Sequence, residues 1–151
     1  MIEGVLVTDL KVIPDDRGYL MEMMRADSPG FEKFGQVYLT VVYPGVVKAW
    51  HYHQKQTDNF VCVQGMAKVA LHDDREDSPT RGETNTFVIG YQRQRRLTIP
   101  AGVYHGFTAV GPEPASIINI PSEMYDYEAP DEFRRPFDDP EIGYDWEVKS
   151  Q

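Results

Sequence analysis

The chain has 151 residues, about the length of one domain, and its 41% hydrophobic and 26% charged residues are the composition of a folded globular protein. Acidic residues outnumber basic residues, 24 against 15, and the formal net charge of −9 argues against nucleic acid or an anionic membrane as a main partner. Every apolar run is far shorter than the roughly 20 residues that span a bilayer, so the sequence predicts no membrane segment.

Two local features indicate where the protein resides. The first residues, Met1–Gly4, have neither the basic region nor the apolar core of a secretory signal. Cys62 is the only cysteine, so no intrachain disulfide can form and nothing indicates an oxidising compartment. We therefore expect a single domain over residues 1–151, located in the cytoplasm.

Short apolar segments separated by proline and glycine turns predict seven strands: Val5–Val7, Gln36–Tyr43, Asn59–Val63, Met66–Leu71, Asn85–Ile89, Arg96–Ile99 and Ala115–Ile120. In the fourth segment, Ala67, Val69 and Leu71 alternate with Lys68, which is the period of a half-buried strand. No sustained helical period precedes residue 120. Many short strands without helices predict an all-β fold, an antiparallel sandwich or barrel.

Three segments carry weaker local signals. Gln64-Gly65 separates two predicted strands by two residues, which predicts a tight hairpin. The stretch Ser28–Phe34 has the length of one or two helical turns. Beyond Pro121, aromatic residues alternate with acidic residues and prolines, and we expect an extended or weakly helical tail that lays these aromatics on the outside: Tyr125, Tyr127, Phe133, Phe137, Tyr144 and Trp146.

Three histidines and an aspartate form a pattern that suggests a site. His51 and His53 are two residues apart on a probable strand and therefore share a face. Asp58 follows at the start of the next strand, and His105 comes after a proline–glycine turn. In a barrel these four side chains could bind a divalent metal, or one histidine could act as a general base. The plainer interpretation leaves His53 and His72 on the surface and His105 hydrogen-bonded in the core.

Several motifs resemble known families. The spacing of Gly45, His51, His53, Asp58 and Gly65 resembles the first cupin motif, and Pro100, Gly102 and His105 resemble the second. Longer segments, in order, resemble the dTDP-4-dehydrorhamnose 3,5-epimerase family: Asp16-Arg17-Gly18 with Glu22, Lys48–Tyr52, Asp74-Arg75 with Ser78–Thr80, Ile99–Phe107, and Asp139-Pro140 with Tyr144–Trp146. This resemblance implies a cupin fold, a double-stranded β-helix jelly roll, followed by the aromatic-rich tail.

The resemblance also implies roles for individual positions. His51 matches the catalytic base and His105 a second active-site histidine, while Lys48 keeps the positive charge of a family arginine. Arg17 and Glu22 match residues that bind the nucleotide diphosphate and base. Further matches are Gln36, at a nucleotide-contacting glutamine, and Tyr125, at an active-site tyrosine.

The chain departs from the family at three further positions, and one family residue has no match. Asn119 stands where the family has its catalytic tyrosine, so we expect it to orient substrate rather than to donate a proton. Tyr38 replaces an asparagine, and Asp58 replaces a lysine. No residue of this chain matches the aspartate that pairs with the base histidine. Tyr125 is then the best remaining phenol for proton donation.

The resemblance implies an isomerase that inverts carbon 3, carbon 5 or both of a dTDP-linked 4-keto-6-deoxy sugar, without a cofactor. The family forms homodimers, and we expect one here. Two alternatives stay open at this stage. One is a metal-dependent cupin enzyme with a divalent ion on His51, His53, Asp58 and His105. The other is a non-catalytic protein that binds sugar nucleotides.

Overall fold

A computed structural model describes residues 1–147. That part of the chain contains no helix, and therefore no helix that could cross a membrane. The strands, all antiparallel in their pairing, are β1 (Leu6–Asp9), β2 (Val12–Asp15), β3 (Gly18–Met21), β4 (Tyr38–Val42), β5 (Val47–Tyr52), β6 (Asp58–Gln64), β7 (Met66–Asp73), β8 (Thr84–Gly90), β9 (Arg95–Ile99), β10 (Val103–Ala109), β11 (Ala115–Asn119) and β12 (Phe133–Arg134). The prediction of an all-β antiparallel fold is confirmed.

Two five-stranded sheets face each other in a jelly-roll arrangement. One sheet has the order β1-β9-β6-β11-β4 and the other β12-β5-β10-β7-β8, while β2 and β3 pair only with each other as a separate hairpin. Interior side chains from both sheets form a common core in which Ala67, Val69 and Leu71 are fully buried. The predicted alternation along β7 is therefore correct, and Lys68 lies on the opposite face.

The predicted hairpin at Gln64-Gly65 is wrong. β6 and β7 belong to different sheets, so the chain crosses from one sheet to the other at this point. Gly65 has a φ of +69°, and a Cβ there would lie 2.3 Å from the backbone oxygen of Pro114. Gly65 does mark a sharp change of chain direction, but this change is a corner between two sheets. A corner and a hairpin turn both need the positive φ that glycine adopts most easily, so the sequence does not distinguish them.

The C-terminal tail forms a second apolar cluster on the outer face of the second sheet. Trp146 is only 8% exposed, and its ring centroid lies 4.9 Å from that of the fully buried Trp50 on β5. Tyr144 packs edge-on against Trp50 at 5.7 Å. The tail therefore does lay aromatics on the outside of the sandwich, where Trp146 is buried against the outer face of the sheet and Tyr127 is 89% exposed.

One further local prediction is wrong, and strands β2, β3 and β10 were not predicted. The stretch Ser28–Phe34 is not helical: the Ser28 and Phe31 amides donate to the carbonyls three residues earlier, and Phe31–Val37 follows without regular structure. The strands β2 and β3 gave no periodic signal because nearly all of their residues are exposed. β10 gave none because all seven of its residues are buried.

Candidate active site

A cavity of about 740 Å³ lies at one end of the sandwich. Its walls come from strands β4, β5, β6 and β10, and residues 123–134 of the tail close one side. His51, His53 and His105 all line it, whereas His72 lies on the outer face of β7 with its Nδ1 2.8 Å from Thr84 Oγ1. His51 and His105 thus share one cavity, and His72 lies outside it.

An irregularity in β5 decides which of its side chains enter the cavity. His51 is the Cα partner of His105 on β10, but Lys48 is the partner of Phe107, so β5 has one residue more than β10 between these pairs. The extra residue makes a β-bulge, which turns Lys48 to the same face as His51. Gly106 permits the bulge, because a Cβ at that position would lie 2.3 Å from the Cβ of Ala49.

His51 and Lys48 present a neutral and a cationic group to the cavity. The pKa of His51 is lowered to about 4. Burial is the main cause, and the neighbouring His105 and Arg134 contribute to the same shift. The imidazole is consequently neutral at physiological pH and able to accept a proton. The Lys48 ammonium donates a hydrogen bond to Thr40 Oγ1 at 3.1 Å, which fixes its position on the wall.

His53 and His105 converge with Asp58 at the inner end of the cavity. Asp58 Oδ2 lies 3.4 Å from His53 Nε2 and 3.6 Å from His105 Nε2. The far ring nitrogens face backbone carbonyls: His105 Nδ1 is 3.2 Å from Val103 O, and His53 Nδ1 contacts Asp131 O. Burial is the main cause that lowers the pKa of His105. The nearby charge of Asp58 acts in the opposite direction and raises this pKa.

Asn119 is buried behind the cavity and holds Asp58 in place. Its Nδ2 donates to Asp58 Oδ1 at 2.7 Å, and Gln56 Nε2 donates to the same oxygen at 2.7 Å. The Asn119 side-chain oxygen accepts the Asn59 amide at 3.0 Å. Asn119 Nδ2 also donates to the Tyr38 phenol oxygen at 2.8 Å. Asn119 thus lies among the residues next to the cavity but does not line it.

Two phenols line the cavity. Tyr38 lies on β4, where it is the Cα partner of Asn119, and burial of its phenol is the main cause that raises its pKa to about 12. Tyr125 belongs to the tail, and its ring centroid lies 5.0 Å from that of Tyr127. The family resemblance matches Tyr125 to an active-site tyrosine, whereas Tyr38 is a departure from the family.

The three positions expected to bind nucleotide do not line this cavity. Arg17 lies at the tip of the β2–β3 hairpin with its side chain 89% exposed, where it pairs with Asp15 at 2.6 Å. Glu22 pairs with Arg25 at 3.1 Å, also in solvent. Gln36 donates its backbone amide to Pro121 O at 3.4 Å. Within the single chain, Arg17 therefore lies in solvent, away from the cavity.

Sequence reasoning missed most of the cavity wall that the tail supplies. Asp131, Glu132 and Arg134 line the cavity, and the Asp131 carboxylate accepts the amides of Gln54 and Lys55 at 2.8 and 2.9 Å. Those bonds attach the tail to the loop after β5. An alternation of aromatic and acidic residues carries no signal for this contact, because the partners are more than 70 residues apart.

Comparisons with known proteins give a consistent result. The family model described as dTDP-4-dehydrorhamnose 3,5-epimerase matches residues 1–151. A protein named "Probable low-salt glycan biosynthesis epimerase Agl13" from Haloferax volcanii is 49% identical over 98% of this chain and 96% of its own. The spore coat polysaccharide biosynthesis protein SpsL of Bacillus subtilis is 44% identical over 99% of both chains. A dTDP sugar isomerase from Desulfovibrio desulfuricans superposes with a TM-score of 0.90 at 36% identity, covering 96% of this chain and 92% of that one.

Proposed function

The chain belongs to the dTDP-4-dehydrorhamnose 3,5-epimerase family, which is a family of isomerases, and we propose a role for each group of its cavity in that chemistry. The substrate we propose is a dTDP-linked 4-keto-6-deoxy sugar, inverted at carbon 3, carbon 5 or both. One observation carries the proposal: a neutral, half-buried His51 stands in the cavity opposite His105, with the Lys48 ammonium on the same wall.

In the proposed first step His51 removes a proton from a carbon next to the ketone. The C–H bond breaks, its electron pair moves into the new C=C bond, and the carbonyl electrons move onto oxygen as an enolate. The proton stays on the imidazole. Lys48 stabilises the developing negative charge, because a fixed cationic donor in a partly dry site acts strongly on an oxyanion. His105, which the family resemblance also suggests, is not free for this role, because its ring nitrogens face Val103 O and Asp58.

In the second step a phenol returns a proton to the opposite face of the same carbon, which inverts it. Tyr125 and Tyr38 are the two candidates. With a pKa of about 12, the Tyr38 phenol is protonated at neutral pH, as a proton donor must be. Its place beside Asn119 also favours Tyr38, because the family resemblance puts the catalytic tyrosine at position 119 and the Tyr38 phenol is 2.8 Å from that side chain.

The proposed proton transfers need no cofactor. The substrate ketone already acidifies the protons on its neighbouring carbons, so a base, an oxyanion stabiliser and an acid complete the reaction. We propose that the enzyme works in the cytoplasm, where nucleotide-linked sugars of this kind would be its partners and nucleic acid would not.

We further propose that the enzyme is a homodimer in which the β2–β3 hairpin of one subunit serves the cavity of the other. Arg17 and Glu22 lie outside the cavity of their own chain, and the hairpin exposes apolar side chains, with Leu20 at 58% and Ile13 at 46%. A dimer interface would cover that apolar surface. In the dimer Arg17 would bind the diphosphate in a bidentate manner, with Glu22 and Gln36 beside the nucleotide.

The deciding experiment is incubation with dTDP-4-keto-6-deoxyglucose in heavy water, followed by NMR of carbons 3 and 5. We expect deuterium at one or both carbons in a reaction that depends on His51. Binding of dTDP without any deuterium incorporation would contradict the proposal and favour a non-catalytic sugar-nucleotide-binding protein.

A further inference from the structure

A strand of the tail brings an arginine directly opposite His51. β12 pairs with β5, and in this pair Arg134 is the Cα partner of His51 while Phe133 is the partner of Tyr52. Directly opposed residues of an antiparallel pair share a face, with Cβ atoms about 5 Å apart. The Arg134 side chain therefore lies beside the imidazole, and it lines the cavity.

Strand alternation brings a second charged group, Glu132, to the same face. Phe133, which lies between Glu132 and Arg134, turns outward and stacks on Tyr52 with ring centroids 5.0 Å apart. Continuing the β5–β12 register places Glu132 diagonally across from His51, a separation that a long side chain can bridge. The Glu132 side chain is only 21% exposed and lines the cavity.

In the structure these two charges neutralise each other. Arg134 Nε donates a hydrogen bond to Glu132 Oε1 at 2.7 Å, and Arg134 Nη2 donates to the same oxygen. A guanidinium has five N–H groups, so Arg134 has donors left for a second acceptor. Because its side chain lines the cavity and is nevertheless 69% exposed, it stands at the opening, where an incoming ligand would meet it.

His51 is a weak base in this arrangement. Its pKa is lowered to about 4, first by burial and then by His105, Arg134 and His53, whereas Glu132 raises it. A general base works best when its pKa lies near the operating pH, so proton abstraction would gain from more negative charge beside His51. The surrounding strands also bring Lys48 of β5 and Tyr38 of β4 to the cavity, but neither is an anion.

Other carboxylates around the cavity are engaged elsewhere. Asp126 and Asp131 accept backbone amides of the tail and of the loop after β5. Glu123 pairs with Lys33 at 2.6 Å. Asp58 accepts two side-chain amides on Oδ1, and its Oδ2 faces the two other cavity histidines. Glu132 differs from these groups because its partner is an exposed side chain that can turn to a ligand.

We propose that Arg134 couples substrate binding to the action of His51, an inference that rests on the proposed function. The diphosphate of a dTDP-linked sugar offers paired oxygens that a guanidinium binds in a bidentate manner. When Arg134 turns to that diphosphate it releases Glu132. The free carboxylate then stabilises the imidazolium that forms as His51 takes the proton from carbon. Glu132 acts through His51 and does not receive the proton.

The first test is a titration of the His51 imidazole by NMR, without and with dTDP, with His51→Ala to identify the signal. In the wild type, dTDP should raise the pKa of His51. In Glu132→Gln the rise should be smaller, because the diphosphate charge then acts alone. In Arg134→Gln the pKa should already be raised in the free protein, and dTDP should add less. This titration involves no turnover.

The second test measures deuterium exchange and epimerisation with dTDP-4-keto-6-deoxyglucose. Glu132→Gln should lower kcat by about 10-fold or more, the effect of losing one opposite charge beside a titrating group, with the smaller effect on KM. Arg134→Gln should mainly raise KM, because a phosphate donor is lost. Glu128→Gln, which changes an exposed tail carboxylate outside the cavity, is the matched control and should change neither constant.

Equal shifts of the His51 pKa by dTDP in the wild type, Glu132→Gln and Arg134→Gln would overturn the proposal, as would a wild-type pKa that dTDP does not change. A loss of kcat in Arg134→Gln as large as that in Glu132→Gln would also overturn it. Wild-type protein without any His51-dependent exchange would contradict the proposed function itself, and the titration then still decides whether the charge pair acts on His51.

Discussion

The Asn119 amide nitrogen donates a hydrogen bond to the Tyr38 phenol oxygen at 2.8 Å, across the β4–β11 pair in which these two residues are Cα partners. The family resemblance puts a tyrosine at position 119 and an asparagine at position 38, so the two residue types are exchanged here. Because the positions are adjacent across the sheet, the exchange keeps one phenol and one amide in the same small region.

The exchange predicts that Tyr38 is the proton donor for inversion. Tyr38→Phe should lower net epimerisation by about 10²–10⁴-fold, the usual cost of losing a general acid, while deuterium exchange at the keto-adjacent carbon is affected less. NMR in heavy water measures both rates on one sample. Tyr125→Phe is the matched control, and a larger loss of inversion in that variant would assign the acid to Tyr125.

The same experiment tests the base. His51→Ala should abolish deuterium exchange as well as inversion, with a loss on the order of 10²–10⁴-fold, the usual cost of losing a general base. His72→Ala removes a histidine from the outer face of β7 and should leave both rates unchanged. Exchange that persists in His51→Ala would remove this residue from the mechanism.

The proposed dimer predicts complementation between two inactive variants. Arg17→Ala should weaken dTDP binding in calorimetry, because a guanidinium bidentate to the diphosphate is lost. If Arg17 serves the partner's cavity, a dimer mixed from Arg17→Ala and His51→Ala subunits has one site with both residues intact. Mixing should therefore restore activity that neither variant has alone. Unchanged dTDP affinity in Arg17→Ala would take this residue out of the binding site.

Asp73 predicts a loss of stability in acid. Burial opposes its charge, but hydrogen bonds from Arg75, Ser78 and Thr80 hold the pKa of this carboxyl far below its ordinary value of 3.8. A carboxyl group whose pKa is lower in the folded than in the unfolded protein stabilises the fold at pH values above its unfolded pKa. That contribution is lost as the pH falls through its folded pKa. Urea unfolding should show the wild type losing stability between about pH 5 and pH 2.

Asp73→Asn should be less stable than the wild type by about 1.5–3 kcal/mol near neutral pH, because hydrogen bonds to a charged group are weakened. Its stability should change less with pH over the acid range. If the free energy of unfolding depended on pH in the same way in both proteins, Asp73 would not be a cause of the acid destabilisation.

The outer cluster predicts that the tail contributes to global stability. Trp146→Ala should lower the free energy of unfolding by about 3–5 kcal/mol, as truncations of large buried aromatics do. Its indole N–H bond to Phe137 O, 3.0 Å long, is lost as well. Tyr127→Ala, at an 89% exposed position, should change stability by less than about 0.5 kcal/mol. Equal losses of unfolding free energy in the two variants would contradict a stabilising role of the second apolar cluster.

Strand periods and the histidine pair were predictable because both are local. All seven predicted strands exist, with ends shifted by a few residues, and Ala67, Val69 and Leu71 share the buried face as expected. A spacing of two residues places His51 and His53 on one face in any strand. The sequence by itself thus determined the all-β class, and its ordered motifs indicated the family that the comparisons then identified.

Tertiary structure decided the rest, because the deciding contacts join residues far apart in the chain. The bulge that turns Lys48 inward depends on β5 meeting Gly106 of β10, and Asp58 meets His105 only because the two sheets pack face to face. Trp146 is buried because Trp50, 96 positions earlier, offers an apolar outer face. Residue types and spacings specify which groups are available to a site, and only the packing of the sheets and the tail specifies which of them meet.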